Sequence, residues 1–225
     1  MKDLGADYFL LGSLDDIAWL YNIRGGDVKC NPVVMSYALI SHDTAILYLD
    51  MDKLSDEAAV LLGEQGIKCR QYDLVAEDLS SINKDRSIVL DKERINRWLF
   101  SSIPEDCTII EKPNLTTLPK GVKNKTEIEN QRLAYIKDGV ALTKFFHWLH
   151  DNLGKIEITE MYASDQLLQF REGMEDFIEP SFQTIAAYGP NAAMMHYSAT
   201  EDNNAVLGKS GLFLLDSGGQ YLNGT

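Results

Sequence analysis

An aspartate close to the end of the sequence, Asp216, stands at the junction of two contrasting segments. The four residues before it, Leu212 to Leu215, form an apolar run typical of a β-strand, and the cluster Ser217-Gly218-Gly219 after it is typical of a strand end. The sequence therefore presents a carboxylate at a strand terminus. Such a carboxylate has two interpretations: it accepts hydrogen bonds from its own turn, or it binds a metal ion.

A second candidate is His196, which follows the pair Met194-Met195 and precedes Tyr197. A single histidine in an apolar neighbourhood is most often a satisfied core or surface residue. A neutral imidazole can also donate one hydrogen bond to a peptide carbonyl. On its own, His196 predicts neither role over the other.

Two other patterns are weak. His147 and His150 lie three residues apart and could share a metal, but they stand near the end of a predicted amphipathic helix, where the helix dipole favours histidine. The pair Gly25-Gly26 follows a predicted helix rather than a strand and lacks both the GxGxxG pattern and a Walker lysine. It is better interpreted as a helix C-cap.

The composition describes an acidic globular protein of 225 residues, enough for one or two domains with a buried core. The net charge of -13 repels phosphate backbones, so no nucleic-acid partner is expected. The cysteines Cys30, Cys69 and Cys107 form no CxxC pair and are expected to be reduced. The N-terminal residues lack a signal-peptide pattern, and no apolar run approaches the roughly 18 residues of a membrane span. We therefore expect no membrane partner and a cytoplasmic location.

Strand and helix patterns alternate through the first half of the chain. The predicted strands are Tyr8 to Leu11, Val33 to Ile40, Ala45 to Leu49, Ile67 to Tyr72, Ser87 to Leu90 and Thr108 to Ile110. The predicted helices are Ser13 to Ile23, Leu54 to Leu62, Leu74 to Ile82 and Asp91 to Ile103. This alternation predicts an α/β domain.

A segment rich in Pro, Asn and Thr, from Pro113 to Pro119, has the composition of a linker. We place the boundary there, which gives domains 1-117 and 118-225. Beyond it, either Asn124 with Glu127 or Thr126 with Glu129 forms a capping box at the start of a long helix. The residues expected on the buried face of that helix are Leu133, Ile136, Val140, Phe145, Trp148 and Leu149.

Three stretches of the chain resemble one family. Residues 214-225, reading Leu-Leu-Asp-Ser-Gly-Gly-Gln-Tyr-Leu-Asn-Gly-Thr, closely resemble the first metal-binding strand pair of the aminopeptidase P family of pita-bread (creatinase/prolidase) metallopeptidases. Residues 15-32 resemble the non-catalytic domain of that family, and residues 180-197 resemble its strand and loop with Gly-Pro-Asn-Ala and His-Tyr. The resemblance implies an α/β fold: a creatinase/prolidase N-terminal-like domain, with a mixed sheet and flanking helices, followed by the truncated first part of an α+β pita-bread catalytic domain.

The resemblance also implies a function. Members are Xaa-Pro aminopeptidases, which use two metal ions to release the N-terminal residue from peptides with proline at the second position. By position, Asp216 is a metal ligand and His196 is the histidine that contacts substrate or its oxyanion beside the metals. Two divalent cations, with Mn²⁺ favoured by oxygen-rich ligation, would lower the pKa of a shared water from about 15.7 toward neutrality. No other cofactor is implied.

The resemblance further implies that the chain is an internal part of a three-domain enzyme, whose remaining ligands, a second Asp, one His and two Glu, follow Thr225. Because those ligands lie outside it, we expect the 225-residue chain to be inactive alone. The resemblance also implies that the complete enzyme forms a homodimer. Two alternatives remain. A prolidase-like dipeptidase shares the architecture and the metal chemistry, and a catalytically dead pita-bread module would bind peptides or proteins without hydrolysing them.

Overall fold

The computed structural model describes residues 1-225, which form two compact units. The first unit comprises Met1–Val28 and Pro32–Val122, and the second comprises Lys29–Asn31 and Lys123–Thr225. The division at 122/123 lies just beyond the boundary of 117/118 that we placed from the sequence. None of the helices combines the length and the apolar content needed to cross a membrane.

The first unit is built on a six-stranded sheet. Its strands are β1 (Tyr8–Leu11), β2 (Ser36–Ser41), β3 (Ala45–Leu49), β4 (Ile67–Gln71), β5 (Ser87–Leu90) and β6 (Thr108–Glu111). Its α-helices are α1 (Leu14–Tyr21), α2 (Asp56–Glu64), α3 (Val75–Ser80), α4 (Arg97–Ser102) and α5 (Thr117–Gly121). The strand order is β4-β3-β2-β1-β5-β6, in which β2 is antiparallel to both of its neighbours and all other pairs are parallel. The predicted mixed sheet is confirmed.

Strand β1 lies inside this sheet, antiparallel to β2 and parallel to β5, with Tyr8 opposite Ile88 in the second pair. Because successive side chains of a strand point to opposite faces, β1 contributes to two hydrophobic clusters. Phe9 and Leu11 belong to the cluster that includes residues of α1 and α2, and Leu10 belongs to the cluster that includes residues of α3 and α4. Helices therefore cover both faces of the sheet.

One predicted helix of this unit is much shorter than expected. The prediction began at Asp91, but α4 starts only after the cap residue Asn96, whose side chain accepts a hydrogen bond from Leu99 N at 2.9 Å. Asp91 instead forms a turn, in which its carbonyl accepts from Arg94 N and its carboxylate accepts from Glu93 N, both at 3.0 Å. A short polar side chain that bonds to its own backbone competes with the helix, so the prediction for the first half of this segment was wrong.

The second unit combines two helices with two small sheets. Its elements are α6 (Lys125–Asn152), α7 (Glu160–Glu172), β7 (Phe177–Pro180), β8 (Ile185–Tyr188), β9 (Phe213–Asp216) and β10 (Gly219–Tyr221). Strand β8 pairs antiparallel with β9, and β7 pairs antiparallel with β10. The segments on either side of Ser217-Gly218 resemble a strand pair in sequence, yet each pairs with an earlier strand and not with the other.

Helix α6 begins with the first of the two predicted capping boxes. The Asn124 side chain accepts a hydrogen bond from Glu127 N at 2.9 Å, and the Glu127 carboxylate accepts from Asn124 N at 2.7 Å. Thr126 lies one residue inside the helix and is exposed.

The buried face of α6 agrees with the predicted face only in the second half of the helix. Its fully buried residues are Ala134, Ala141 and Phe145, and Phe145 packs with Ala163 and Leu167 of α7. Three residues predicted on this face are exposed: Leu133, Ile136 and Val140. Phe145 is buried as predicted, and Trp148 and Leu149 are half-buried against the same hydrophobic cluster, so the prediction is confirmed for the second half of α6.

Candidate functional site

Asp216 is the last residue of β9, where its backbone pairs with Ile185 of β8. Leu215 packs against the hydrophobic cluster of the second unit, and strand alternation turns the Asp216 side chain to the other face, where it is exposed. The carboxylate makes no hydrogen bond and no ion pair. It is therefore not bonded to its own turn, and both oxygens are free for a ligand.

The residue after Asp216 is held by a buried charge. Ser217 Oγ accepts a hydrogen bond from Nη2 of Arg171 at 3.1 Å. Arg171 is 1% exposed, and its Nε and Nη2 donate to the two oxygens of Asp138 at 2.8 and 3.0 Å. Tyr221 also donates to Asp138, at 3.1 Å, and burial together with this carboxylate raises the pKa of Tyr221. The pair of Arg171 and Asp138 thus ties α6 and α7 to the turn that follows Asp216.

Close packing restricts the same turn. The carbonyl of Gly218 accepts a hydrogen bond from Ser181 N at 2.9 Å. A Cβ atom on Gly218 would lie 2.1 Å from Ser181 Oγ, and one on Gly219 would lie 2.9 Å from the ring of Tyr221, both closer than real Cβ contacts. Glycine at these positions therefore lets the turn approach its neighbours, which is one of the ordinary uses of this residue.

His196 lies in the long connection between β8 and β9. Its φ of 57° is in the left-handed region, which is unfavourable for a residue with a Cβ atom. The imidazole is exposed and makes no hydrogen bond. Met195 before it is 92% exposed, whereas Tyr197 after it is only 5% exposed. The chain therefore presents the imidazole to solvent directly beside an anchored tyrosine.

Tyr197 is anchored on Glu160, the first residue of α7, which is completely buried. Glu160 Oε2 accepts hydrogen bonds from the Tyr197 hydroxyl at 2.6 Å and from Ala205 N at 2.9 Å, and Oε1 accepts from Tyr188 N at 2.6 Å and from Asn191 Nδ2 at 3.1 Å. Burial raises the pKa of the Glu160 carboxyl, but these hydrogen bonds outweigh it and hold that pKa below its ordinary value. Burial and the contact with Glu160 raise the pKa of Tyr197 to about 12.

Asp216 fits a divalent cation, because an exposed carboxylate with two free oxygens is the kind of hard donor that such ions prefer. It would be one ligand among several, since residues 1-225 contain no group of three or more His, Cys, Asp or Glu side chains that could hold a metal. No hydrogen bond or ion pair joins His196 to Asp216. The structure therefore places both predicted residues on the surface of the second unit without bringing them into direct contact.

Sequence reasoning missed three residues that support the candidate site: Glu160, Arg171 and Asp138. An acidic residue in a first helical turn and a basic residue in a last turn are ordinary surface features, because both interact favourably with the helix dipole. One signal was available. Glu160 and Arg171 share a helical face with Ala163 and Leu167, at spacings of three and four residues, and all four are buried.

Fold and site together define a class of protein. A mixed α/β domain is followed by a long helix, a second helix and short paired strands that present an unpaired carboxylate, which is the arrangement expected of the creatinase/prolidase metallopeptidases. Residues 1–127 match the Creatinase/Prolidase N-terminal domain, and residues 129–225 match Metallopeptidase family M24. The chain belongs to this family, and the predicted fold class is confirmed.

Its relatives carry a more specific name. The chain is 36% identical over 227 residues to "Probable Xaa-Pro aminopeptidase P" of Botryotinia fuckeliana, covering 96% of this chain and 34% of the relative. The protein of the same name from Sordaria macrospora is 36% identical over 228 residues, covering 96% of this chain and 37% of the relative. The chain spans about a third of the length of these curated relatives.

A solved structure agrees. The X-prolyl aminopeptidase from Caenorhabditis elegans, described as a cytosolic enzyme with a di-nuclear active site, superposes with a TM-score of 0.91 at 28% identity. The superposition covers 99% of this chain and 37% of that one. The similarity thus extends over both units of the chain.

Proposed function

We propose that the chain supplies the α/β domain and the first part of the catalytic domain of an Xaa-Pro aminopeptidase. Such an enzyme hydrolyses the N-terminal peptide bond of peptides with proline at the second position. The observation that carries the proposal is the free carboxylate of Asp216 at the end of β9, in a chain 36% identical to proteins named Xaa-Pro aminopeptidase P.

Asp216 would hold one of two divalent cations, and we propose Mn²⁺ because the ligands are oxygen-rich. When bound, the cations supply polarisation of the scissile carbonyl and a water of lowered pKa. The contribution of this chain is to hold the carboxylate in place. The hydrogen bond from Arg171 to Ser217 and the close packing of Gly219 restrict the turn, so little reorganisation accompanies ligand binding.

His196 has a different role in the proposal. Its exposed imidazole, free of hydrogen bonds within the chain, would donate to the carbonyl oxygen of the scissile bond. Negative charge grows on that oxygen during the reaction, so the hydrogen bond strengthens in the transition state. One well-placed donor of this kind contributes roughly 2.7 to 4 kcal/mol.

Two substitutions in the complete Mn²⁺-loaded protein test these roles. Asp216→Asn should lose metal and turnover together, whereas His196→Ala should keep its metal and lose about 10² to 10³-fold in kcat. The matched controls are Asp202→Asn and His150→Ala, which change exposed side chains without hydrogen bonds or ion pairs and should behave like the wild type. Metal content is measured by mass spectrometry and turnover on a tripeptide with proline second. A wild-type protein with full metal occupancy and no hydrolysis would contradict the proposal and favour a peptide-binding module.

Substrate length separates the proposal from the prolidase-like alternative. An aminopeptidase should cleave the tripeptide at least as well as the corresponding Xaa-Pro dipeptide. Strong preference for the dipeptide would favour a dipeptidase instead.

We also propose that the complete protein is cytosolic and homodimeric. The cytosolic assignment is supported by the description of the Caenorhabditis elegans enzyme. Fractionation of cells and sedimentation of the complete protein test the two statements separately.

A further inference from the structure

Glu160 has no exposed surface with which to bind a substrate, so its carboxylate acts only on other residues of the chain. Its four donors lie on both sides of His196 along the sequence. Tyr188 and Asn191 precede the histidine, and Tyr197 and Ala205 follow it. One buried carboxylate thus fastens both ends of the loop that carries His196.

The conformation of His196 needs such a restraint. A left-handed backbone conformation at a residue with a Cβ atom persists only where the surrounding structure fixes it. The adjacent Tyr197 supplies the fixed point, because its hydroxyl donates to Glu160 at 2.6 Å and also lies 2.9 Å from the carbonyl oxygen of Asn203. Asn191 donates to the same hydroxyl at 2.9 Å, so the two halves of the loop are also joined to each other.

We propose that Glu160 is a positioning residue for His196, which fastens loop 189-205 from both ends and so holds the imidazole in the orientation needed to meet the substrate. The substrate contact itself rests on the proposed function. Charged acceptors form the stronger class of hydrogen bond, and four donors on one carboxylate cannot all be retained by the neutral side chain of glutamine. Glu160→Gln should therefore loosen the loop while α7 stays helical.

Hydrogen-deuterium exchange on the 225-residue chain tests the restraint directly. Glu160→Gln should speed amide exchange in residues 189-205 by about tenfold or more, because loss of about 1.4 kcal/mol corresponds to a factor of ten. The Cα chemical shift of His196 should also move away from the value typical of a left-handed residue. The matched control is Leu167→Ala, a buried change on the same face of α7, which should not single out loop 189-205.

Tyr197→Phe provides a second variant in case Glu160→Gln does not fold. It keeps the ring and removes only the hydroxyl, and it should produce the same two changes. Unchanged exchange in loop 189-205 and an unchanged His196 shift in the variant that folds would overturn the proposal.

Activity provides the link to function. In the complete Mn²⁺-loaded protein, Glu160→Gln should lower kcat on a peptide with proline second, with KM and metal content near those of the wild type. Equal kcat in both proteins would overturn the positioning role. Absence of hydrolysis by the wild type would overturn the proposed function alone, and the exchange measurement would still decide for or against Glu160.

Discussion

Asp216 and His196, the two candidate site residues, are supported by their neighbours in the same way. Each is exposed, and the residue that follows each of them is bonded to a buried charge, Ser217 to Arg171 and Tyr197 to Glu160. The side chain of each candidate residue stays free to bind a ligand, while the hydrogen bond of the following residue restrains its backbone. Less conformational freedom is then lost on binding than in an unsupported loop.

Replacement of Arg171 by methionine should destabilise the second unit by about 3 kcal/mol, because breaking a buried ion pair leaves one charge without its partner. Here that charge is Asp138, whose side chain is 20% exposed. Urea unfolding monitored by circular dichroism measures the change. The double variant Arg171→Met with Asp138→Leu should recover part of the loss, since it removes both charges.

An exposed ion pair provides the control for this prediction. Lys125 is 89% exposed and pairs with Glu129 at 3.8 Å, so Lys125→Met should change the unfolding free energy by less than about 0.5 kcal/mol. Equal unfolding free energies for Arg171→Met and Lys125→Met would show that burial of the Arg171 ion pair does not add to the stability of the second unit.

Acid sensitivity follows from Glu160. Burial raises the pKa of its carboxyl, and the hydrogen bonds that it accepts outweigh burial and hold the pKa below 4.5. A group whose pKa falls on folding stabilises the native state above its unfolded pKa, and this stabilisation disappears as pH decreases through the folded pKa. The difference in Tm between wild type and Glu160→Gln should therefore shrink below about pH 4.5. Parallel pH profiles of the two proteins would contradict this expectation.

At the scale of elements, the start of α6 can be tested by its cap. Asn124→Ala should destabilise the second unit by about 1 kcal/mol, because the side chain satisfies a backbone N–H that has no partner within the helix. Thr126→Ala is the control, since Thr126 lies inside the helix and is exposed. Chemical denaturation of both variants measures the effect, and a larger loss for Thr126→Ala would mean that the wrong residue has been identified as the cap.

Local sequence was sufficient for several elements of the first unit. The bounds of β1, β3 and β5 agree with the prediction residue for residue. Each is a short apolar run stopped on both sides by residues that favour turns or solvent, as Asp7 and Gly12 do for β1. Asp91 shows the limit of such signals, because an aspartate favours both helix starts and isolated turns, and the sequence does not distinguish them.

The features that local sequence did not reveal are contacts between residues that are far apart in the chain. Asp216 and His196 lie in distinctive strings, so the sequence alone identifies them as candidates. Arg171 and Asp138 are 33 positions apart, and a helical pattern does not show which element will cover which face. The same limitation explains the error in α6: periodicity predicted Leu133, Ile136 and Val140 as buried, but the cluster that α6 shares with α7 lies further along the helix, around Phe145.

At the scale of the whole molecule, the 225-residue chain should not bind a pair of metal ions. Hard divalent cations need several oxygen or nitrogen donors, and Asp216 offers one carboxylate. Isothermal titration with Mn²⁺ should give equally weak binding for the wild type and for Asp216→Asn, and a peptide with proline second should remain intact. Tight binding of two ions that Asp216→Asn abolishes, or robust turnover by this chain, would contradict the prediction that the chain has too few ligands for a metal pair.

The position of β1 inside the sheet also affects how the first unit folds while it is being synthesised. β1 is the first strand of this unit to leave the ribosome, and β2 and β3 follow within 41 residues as an antiparallel meander. Its other neighbour is distant, since Asp7 just before β1 bonds to Ser87 of β5, 80 residues later. At about 5 to 20 residues per second, β5 emerges about 4 to 16 s after β1. During translation the edge of β1 that pairs with β5 therefore stays without hydrogen-bond partners for seconds. At this edge a nascent-chain chaperone would protect the unfinished domain.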